Sequence, residues 1–269
     1  KNKLIFTVKA IEGDNHLGGR DFDEVLLNYT SEKLQLDKKN QRLMATARDS
    51  IINAKIILST KEEADIIIDF GEKQYKMKIT RREFEHISQH LIQRCLFPVQ
   101  RLLENNGIDK SLIDQIILTG GSSHMPFVKN VLTEYFDKEP FTGIDPQEAV
   151  AQGASIIAYK MMNDEDSVDE DRRDELIEVA SRSIGIAYHG GEMSFHIKKN
   201  QKLPARETVT YSNWAYNEGL LISIFEGENI KIEDNDYLGK FEIHGIPKCP
   251  QGEAPVDVTF EMDDDGILH

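Results

Sequence analysis

The stretch ILTGGSSHMP at residues 117–126 places two adjacent glycines between an apolar, β-branched run and a segment that starts like a helix. Phosphate and nucleoside sites use this order, because glycine lets a ligand approach bare backbone and the first helix amides point at it. A tight turn between a strand and a helix uses the same residues. A second glycine loop, GDNHLGG at residues 13–19, has the same context, so both interpretations stay open.

The composition is that of an ordinary globular chain. With 269 residues, 39% apolar and 29% charged, the chain is long enough for two domains. The net charge of -15 disfavours binding to nucleic acid, because phosphate neutralisation needs a basic face. We therefore expect partners that are neutral, basic or apolar, and no nucleic acid.

The sequence carries no targeting or membrane signal. No apolar run approaches 18 residues, and the opening KNKLIFTVKA is too short and too charged for a secretion signal, so we expect a cytoplasmic location and no membrane association. Cys95 and Cys249 lie far apart without metal-ligand spacing, which argues against structural zinc or a disulfide framework.

The first part of the chain alternates strands and helices. A strand is predicted at residues 3–11 with no earlier element to pair with, which suggests a piece of something longer. Apolar residues at three- and four-residue spacing predict helices at 20–35 and 40–58, and residues 65–79 read as two strands around a Gly-Glu-Lys turn.

The following segment contains clear helix boundaries. Thr80 and Glu83 form a capping box that starts a long helix, bent at Pro98 and stopped by Gly107. A strand at 115–121 and a helix at 126–136 come next. A last helix is predicted from Asp145 as N-cap to about residue 162.

Residues 163–178 are strongly acidic and predict a solvated linker between a domain at 1–162 and a domain at 179–269. Beyond it, short β-rich segments separated by turn signals predict an antiparallel sandwich. The segments are residues 184–188, 192–199, 207–213, 220–227, 237–246 and 256–262.

Several side chains are candidates for binding. Lys55 and Ser59 share a face of the predicted helix and could bind a ribose, although such residues are more often its solvated side. His86 and His90 have the i, i+4 spacing of metal ligands, but without a third ligand nearby a solvated face is preferred. Trp214 stands in a turn-rich loop, where a large aromatic residue is a candidate for apolar binding.

The motifs, taken in order, resemble the seventy-kilodalton heat-shock chaperones over essentially the whole chain. They are GDNHLGGRDFD, ILTGGSSHMP, IDPQEAVAQGA, NQKLPARET, IFEGE, NDYLGKFEIHGIP and VTFEMDDDGIL. The resemblance implies an α/β fold, the second lobe of an actin-like ATPase domain, followed by an all-β antiparallel sandwich. We expect the first ATPase lobe and the C-terminal lid to lie outside this sequence.

The resemblance also implies a nucleotide site for ATP or ADP with magnesium in the full-length parent. Its residues in this chain would be Lys55, Ser59, Gly120, Gly121, Ser122 and His124. Four positions depart from the family pattern: Ile52 stands for a glutamate, Ile56 and His124 for arginines, and Gln147 for an acid. Each lost contact is of order 1 to 3 kcal/mol, so weaker adenosine binding is predicted. We also expect no ATP hydrolysis by this chain alone, because phosphoryl transfer needs positioned metal and phosphate donors.

The implied peptide site lies in the second domain. His189 and Trp214 would form an arch over the peptide backbone, and Ile186, Tyr211, Leu220 and Ile222 would line the central pocket. The residues alone favour a core role for most of these apolar side chains. Expected partners are extended apolar peptides, together with J-domain and nucleotide-exchange co-chaperones.

The sequence therefore predicts a chaperone that binds unfolded polypeptides under ATP control in its parent. The alternative is a nucleotide-independent regulatory or holding co-chaperone of the same family, and a third possibility is that the first half is a plain structural module.

Overall fold

The structure is a computed structural model that describes residues 5–164, 175–213, 216 and 218–269. It has a mixed α/β architecture, as predicted. The chain divides into two compact units, which are described separately. One unit is Glu12–Asp166, and the other combines Lys1–Ile11 with Ser167–His269, so far as these ranges are described. Within the described residues, no helix is long and apolar enough to cross a membrane.

The unit Glu12–Asp166 contains helices and one antiparallel β-hairpin. Its elements are α1 (Gly19–Lys33), α2 (Gln41–Leu58), β2 (Glu63–Phe70), β3 (Lys73–Thr80), α3 (Arg81–Ile87), α4 (Gln89–Asn105), α5 (Pro126–Phe136) and α6 (Ala149–Asp164). The predicted helices at 20–35, 40–58 and 126–136 and the predicted hairpin are thus confirmed within two residues at each end.

The core of this unit follows from the sequence periodicity. Helices α1 and α2 bury the apolar residues at their three- and four-residue spacing, and β2 buries every second residue. The shared core includes Phe22, Leu26, Ile51, Ala54, Leu58, Ile66 and Ile68. The hairpin turns at Gly71, whose φ of +61° is a conformation that favours glycine.

The capping box at the start of α3 is confirmed. Thr80 Oγ1 accepts a hydrogen bond from the Glu83 backbone N–H at 3.2 Å, and Glu83 Oε2 accepts one from the Thr80 N–H at 2.9 Å. The predicted single long helix is interrupted at Ser88, which separates α3 from α4. Pro98 lies inside α4, and Gly107 follows its end with a φ of +61°.

In the second half of this unit, the predicted strand is wrong and the predicted N-cap at Asp145 is confirmed. Residues 115–121 form no strand and make one isolated parallel bridge, between Ile117 and Phe141. A strand pairs with its neighbour through a series of backbone hydrogen bonds, and a single bridge is too short to form such a series. Helix α6 begins at Ala149, after a turn in which Asp145 makes the predicted N-cap contacts: its Oδ1 accepts from the Gln147 N–H at 2.8 Å, and its carbonyl oxygen accepts from the Ala149 N–H at 3.0 Å.

The other unit is built from strands. They are β1 (Ile5–Thr7), β4 (Glu175–Ile177), β5 (Ile184–Tyr188), β6 (Glu192–Ile197), β7 (Ala205–Ser212), β8 (Gly219–Glu226), β9 (Asp236–His244) and β10 (Pro255–Met262). An antiparallel sheet has the order β6-β5-β8-β9, and β7 pairs antiparallel with β10. All six β-rich segments predicted from the sequence are strands.

One hydrophobic cluster joins the strands of both these sheets. Its buried members include Ile184, Ile186 and Ile197 from the four-stranded sheet, with Ile222 from β8 and Phe260 from β10. Alternation along β7 and β10 places every second side chain toward this cluster. The two antiparallel sheets therefore share a core.

The opening strand has a partner that the sequence did not reveal. Strand β1 pairs in parallel with β4, with Phe6 opposite Leu176. Strand β4 comes from the acidic segment predicted as a linker, of which residues 165–174 lie outside the described residues. The two aliphatic residues Leu176 and Ile177 are thus part of a short β-ladder rather than of a uniformly solvated chain.

Candidate functional site

The two glycine loops converge on Lys55. We call Gly19, Asp23, Lys55 and Ser122 the glycine-loop cluster. The Lys55 ammonium donates to the Gly19 carbonyl oxygen at 3.1 Å and lies 2.8 Å from Asp23 Oδ1. A Cβ atom added to Gly19 would lie 3.2 Å from Lys55 Nζ and 3.3 Å from Ser122 Oγ, so this approach favours a glycine.

The Lys55–Asp23 ion pair is largely withdrawn from solvent. The two side chains are 15% and 10% exposed, respectively. Helix α2 presents Lys55 and helix α1 presents Asp23, and both helices are anchored by the same core. The positive charge of Lys55 is therefore neutralised by a protein carboxylate.

The second glycine loop is held by the turn that precedes α6. The Gly120 N–H donates to the Pro146 carbonyl oxygen at 2.7 Å, and a Cβ on Gly121 would lie 3.7 Å from Gln147 Nε2. Gly120 has a φ of +84°, and open space surrounds its Cβ position among the described residues. Space for a ligand is thus open on the Cα side of Gly120, while its N–H is already paired with Pro146.

The other predicted nucleotide residues lie around this loop without closing a pocket. Ser59 is the C-cap of α2 and, with Lys55, lines a crevice with a cavity volume of about 10 Å³ that Arg81 and Glu85 also line. Burial raises the pKa of the Glu85 carboxyl. The crevice is smaller than the roughly 300–1,000 Å³ of typical small-molecule pockets.

Ile56 and His124 both stand where the family resemblance gives an arginine. Ile56 is 60% exposed. His124 Nε2 lies 3.8 Å from Asp145 Oδ1, beside the second glycine loop. These residues offer less to an adenine ring, because guanidinium stacking is replaced by one aliphatic side chain and one imidazole.

Asp23 and Arg81 were not predicted from the sequence as part of this site. The motif GGRDFD contained Asp23 four residues after Gly19, and this spacing places both on one side of α1. In the described part of the chain, no group of three or more His, Cys, Asp or Glu side chains is arranged to hold a metal ion.

Four of the six predicted peptide-binding residues meet in one place. Ile186 on β5 and Ile222 on β8 are buried members of the hydrophobic cluster of the sheet unit. Tyr211 on β7 and Leu220 on β8 are partly buried and pack against the same cluster. Three strands thus bring together residues that are far apart in sequence.

Of the two predicted arch residues, the structure describes His189. His189 begins a short 3₁₀ turn, His189–Gly191, in which both glycines have positive φ. Trp214 lies outside the described residues. Asn213, directly before it, is buried: its amide nitrogen donates to the carbonyl oxygens of Cys249 and Pro250 at 3.0 and 3.2 Å.

A buried polar group next to Tyr211 was not predicted. We call His196, Glu207, Tyr211 and Phe260 the intersheet cluster. The Tyr211 hydroxyl lies 2.8 Å from His196 Nε2, the Glu207 carboxylate lies 3.3 Å from His196 Nδ1, and the His196 ring stacks on Phe260 with a centroid separation of 4.5 Å. The alternation of β6 and β7 places these residues inward, but it does not reveal which strands face each other.

Burial perturbs both titratable partners in this cluster. Burial lowers the pKa of the His196 imidazole, and the Glu207 carboxylate partly opposes this effect. Burial, assisted by Glu207, raises the pKa of Tyr211 to about 12. The neutral forms of His196 and Tyr211 are therefore favoured near neutral pH.

Comparison with known proteins gives a consistent result. A heat shock 70 kDa protein of Emericella nidulans is 38% identical over 273 residues, which cover 98% of this chain and 42% of that protein. Heat shock 70 kDa protein 2 of Paracoccidioides lutzii is 39% identical, and heat shock cognate 70 kDa protein 3 of Dictyostelium discoideum is 37% identical; each match covers 98% of this chain.

The chain spans about two fifths of the length of these relatives. The family model described as Hsp70 protein matches residues 2–269. This match covers nearly every residue of both units, and the chain therefore belongs to the Hsp70 protein family.

Proposed function

We propose that the chain is part of a molecular chaperone whose sheet unit binds extended apolar segments of unfolded polypeptides. The observation that carries the proposal is the convergence of Ile186, Tyr211, Leu220 and Ile222 on one apolar cluster. These residues come from three strands, at positions where the family resemblance implies a peptide pocket.

These four residues differ in burial, and they would therefore have different roles in the site. Ile186 and Ile222 are 5% and 2% exposed, so they form the layer beneath the proposed site. Leu220 and Tyr211 retain exposed surface and supply the direct contact with a peptide side chain. A leucine-like side chain buried there would gain about 1.5–3 kcal/mol from removal of apolar surface from water. Backbone hydrogen bonds to the extended peptide would add to this favourable free energy.

A matched pair of variants tests this site. Leu220 packs on the cluster, whereas its neighbour Leu221 points to the opposite face of β8 and is 56% exposed. We expect Leu220→Ser to weaken binding of a rhodamine-labelled heptapeptide with three central leucines by about tenfold. Leu221→Ser should leave the affinity unchanged, as measured by fluorescence anisotropy. Equal loss in both variants, or no binding by the unvaried chain, contradicts the proposed function.

We propose further that peptide binding is ATP-regulated in the full-length parent. Gly120 and Gly121 would let the adenosine part of the nucleotide approach bare backbone, the Ser122 hydroxyl would donate to it, and Lys55 and Ser59 would approach the ribose. Bound ATP with magnesium would supply the phosphoryl group. Phosphoryl transfer needs a positioned metal ion, and no group of three or more His, Cys, Asp or Glu side chains in the described residues is arranged to hold one. We therefore expect phosphate release by this chain in a malachite-green assay to equal the buffer blank.

The second candidate is a nucleotide-independent holding or regulatory co-chaperone. The exposed Ile56 favours it, since an aliphatic side chain there offers no guanidinium to stack on adenine. We expect 1 mM ATP to raise the thermal midpoint of this chain by less than about 2 °C, the shift from a millimolar Kd. Ile56→Arg should increase that shift. A shift of several degrees in the unvaried chain contradicts this candidate and supports ATP regulation.

A further inference from the structure

The intersheet cluster connects the two sheets that share the core of the sheet unit. His196 comes from β6 in the four-stranded sheet, whereas Tyr211, Glu207 and Phe260 come from the β7–β10 pair. The His196 side chain is 3% exposed, and the Tyr211 hydroxyl lies 2.8 Å from its Nε2 atom. The hydrogen bond between the Tyr211 hydroxyl and His196 Nε2 therefore holds in place the tyrosine that lines the proposed peptide site.

The protonation states decide the direction of this hydrogen bond. The Glu207 carboxylate can only accept a hydrogen bond and lies 3.3 Å from His196 Nδ1, so it favours the neutral tautomer that carries its proton on Nδ1. Nε2 is then an acceptor, and the Tyr211 hydroxyl, which keeps its proton near neutral pH because its pKa is raised to about 12, donates to it at 2.8 Å. In this state the Tyr211 hydroxyl is satisfied inside the core and presents no unpaired donor to an apolar ligand.

We propose that His196 is a positioning residue for peptide binding: its neutral imidazole holds Tyr211 in the binding orientation, and its protonation releases Tyr211 and weakens the site. This inference rests on the proposed peptide-binding function and adds a pH-dependent control to it. The peptide is an uncharged apolar segment, so the dependence belongs to the protein rather than to the ligand.

Protonation of His196 reverses the hydrogen-bond roles. Nε2 becomes a donor, so the Tyr211 oxygen must accept, and the tyrosine proton needs another acceptor in a largely apolar environment. An unsatisfied buried hydroxyl is costly, and a shift of the ring is the way to avoid it. That shift moves the aromatic surface against which a peptide side chain would pack.

The groups that face His196 come from strands β5, β7 and β10. From β7 the imidazole faces the Glu207 carboxylate and the Tyr211 hydroxyl, and from β10 it faces the uncharged Phe260. The neighbouring strand β5 offers only uncharged residues, 184–186, beside this part of β6. Glu207 favours the charged imidazole, and burial disfavours it; burial is the larger influence and lowers the pKa of His196.

The test compares four variants with the unvaried 269-residue chain, using a rhodamine-labelled peptide that has three central leucines and no group that titrates between about pH 5 and 8. His196→Gln keeps a neutral acceptor for the Tyr211 hydroxyl but cannot titrate in this range. His196→Leu removes the acceptor, and the double variant His196→Leu with Tyr211→Phe also removes the orphaned hydroxyl. His244→Gln is the matched control, because His244 is 74% exposed on β9.

We expect the Kd of the unvaried chain and of His244→Gln to rise at least about threefold from about pH 7.5 to 5.5, while that of His196→Gln changes less than about twofold. At about pH 7.5, His196→Leu should weaken binding about fivefold or more, and the double variant should recover most of that loss. Thermal unfolding of each variant confirms that it is folded.

The outcomes separate the inference from the function on which it rests. Peptide binding by the unvaried chain with identical pH profiles for His196→Gln and His244→Gln overturns the inference and leaves the proposed function intact. A failure of the double variant to recover affinity also overturns it. Absence of peptide binding at every pH overturns both.

Discussion

The glycine-loop cluster and the intersheet cluster place titratable side chains in similarly buried surroundings, but they satisfy them differently. Lys55 and Asp23 are an ion pair, with side chains 15% and 10% exposed. His196 and Tyr211 are a neutral donor and acceptor beside Phe260. The first arrangement holds two opposite charges together, whereas the second changes its hydrogen-bond direction when one proton is added. Burial alone therefore does not determine whether a polar group acts as an anchor or responds to pH.

Breaking the ion pair should give the largest effect. We expect Lys55→Met to lower the free energy of unfolding by about 3 kcal/mol, because Asp23 is left as a buried, unpaired carboxylate. Urea unfolding followed by circular dichroism at about 222 nm reports on this change, since the described helices of three or more turns lie in the Glu12–Asp166 unit.

The double variant Lys55→Met with Asp23→Leu is the control for that prediction. It removes both charges and should recover more than half of the lost stability. If the single and double variants are equally unstable, the loss comes from packing rather than from an unpaired charge.

A neutral anchor in the sheet unit should give a smaller effect. Asn213→Ala removes the amide that donates to the carbonyl oxygens of Cys249 and Pro250 and accepts from the Ala254 N–H. We expect a loss of about 2 kcal/mol, since buried backbone groups lose their partners. Asn106→Ala, at an exposed amide that donates to the Leu102 carbonyl oxygen, is the comparison and should cost less than about 0.5 kcal/mol. Similar losses in the two variants contradict the prediction.

The pH dependence of stability should be the smallest of these effects. It is also the most direct way to distinguish the intersheet cluster from the glycine-loop cluster. Because burial lowers the pKa of His196 in the folded state, the unfolded chain binds a proton at higher pH than the folded chain does. The contribution of the neutral imidazole is thus complete above its ordinary pKa of about 6.5 and decreases as pH falls through that value toward the folded pKa.

Thermal unfolding from about pH 7.5 to 5 checks this sign. The midpoint of the unvaried chain should fall more steeply than that of His196→Gln. A steeper fall in the glutamine variant would contradict it, since glutamine does not titrate. The variant His244→Gln, which removes an exposed imidazole, should follow the unvaried chain.

The sequence predicted most of the elements because their signals are local. The capping box of Thr80 and Glu83, the turn at Gly71 and the helical spacing of Phe22 and Leu26 act within a few residues of each other. Resemblance also gathered Ile186, Tyr211, Leu220 and Ile222 into one predicted pocket, and these residues share one cluster. Their role in peptide binding stays a prediction.

Other features depend on partners that are distant in sequence. The apolar run at 115–121 was predicted as a strand but makes a single bridge at Ile117. Helix α6 has the predicted helical period, yet Val150 and Tyr159 are 72% and 70% exposed. Periodicity indicates that a helix has an apolar face, but it does not specify what covers that face.

By itself, the sequence determined α1, α2, α5, the hairpin, the six strands of the two antiparallel sheets and the family, because local hydrogen bonds, periodicity and ordered motifs depend on residues close together in the sequence. Only the tertiary structure decided that Lys55 is paired with Asp23, that β1 pairs with β4, and that His196 meets Tyr211. These contacts join residues that no local rule relates. Burial strengthens each of them, since a polar group removed from water must find its partner within the fold.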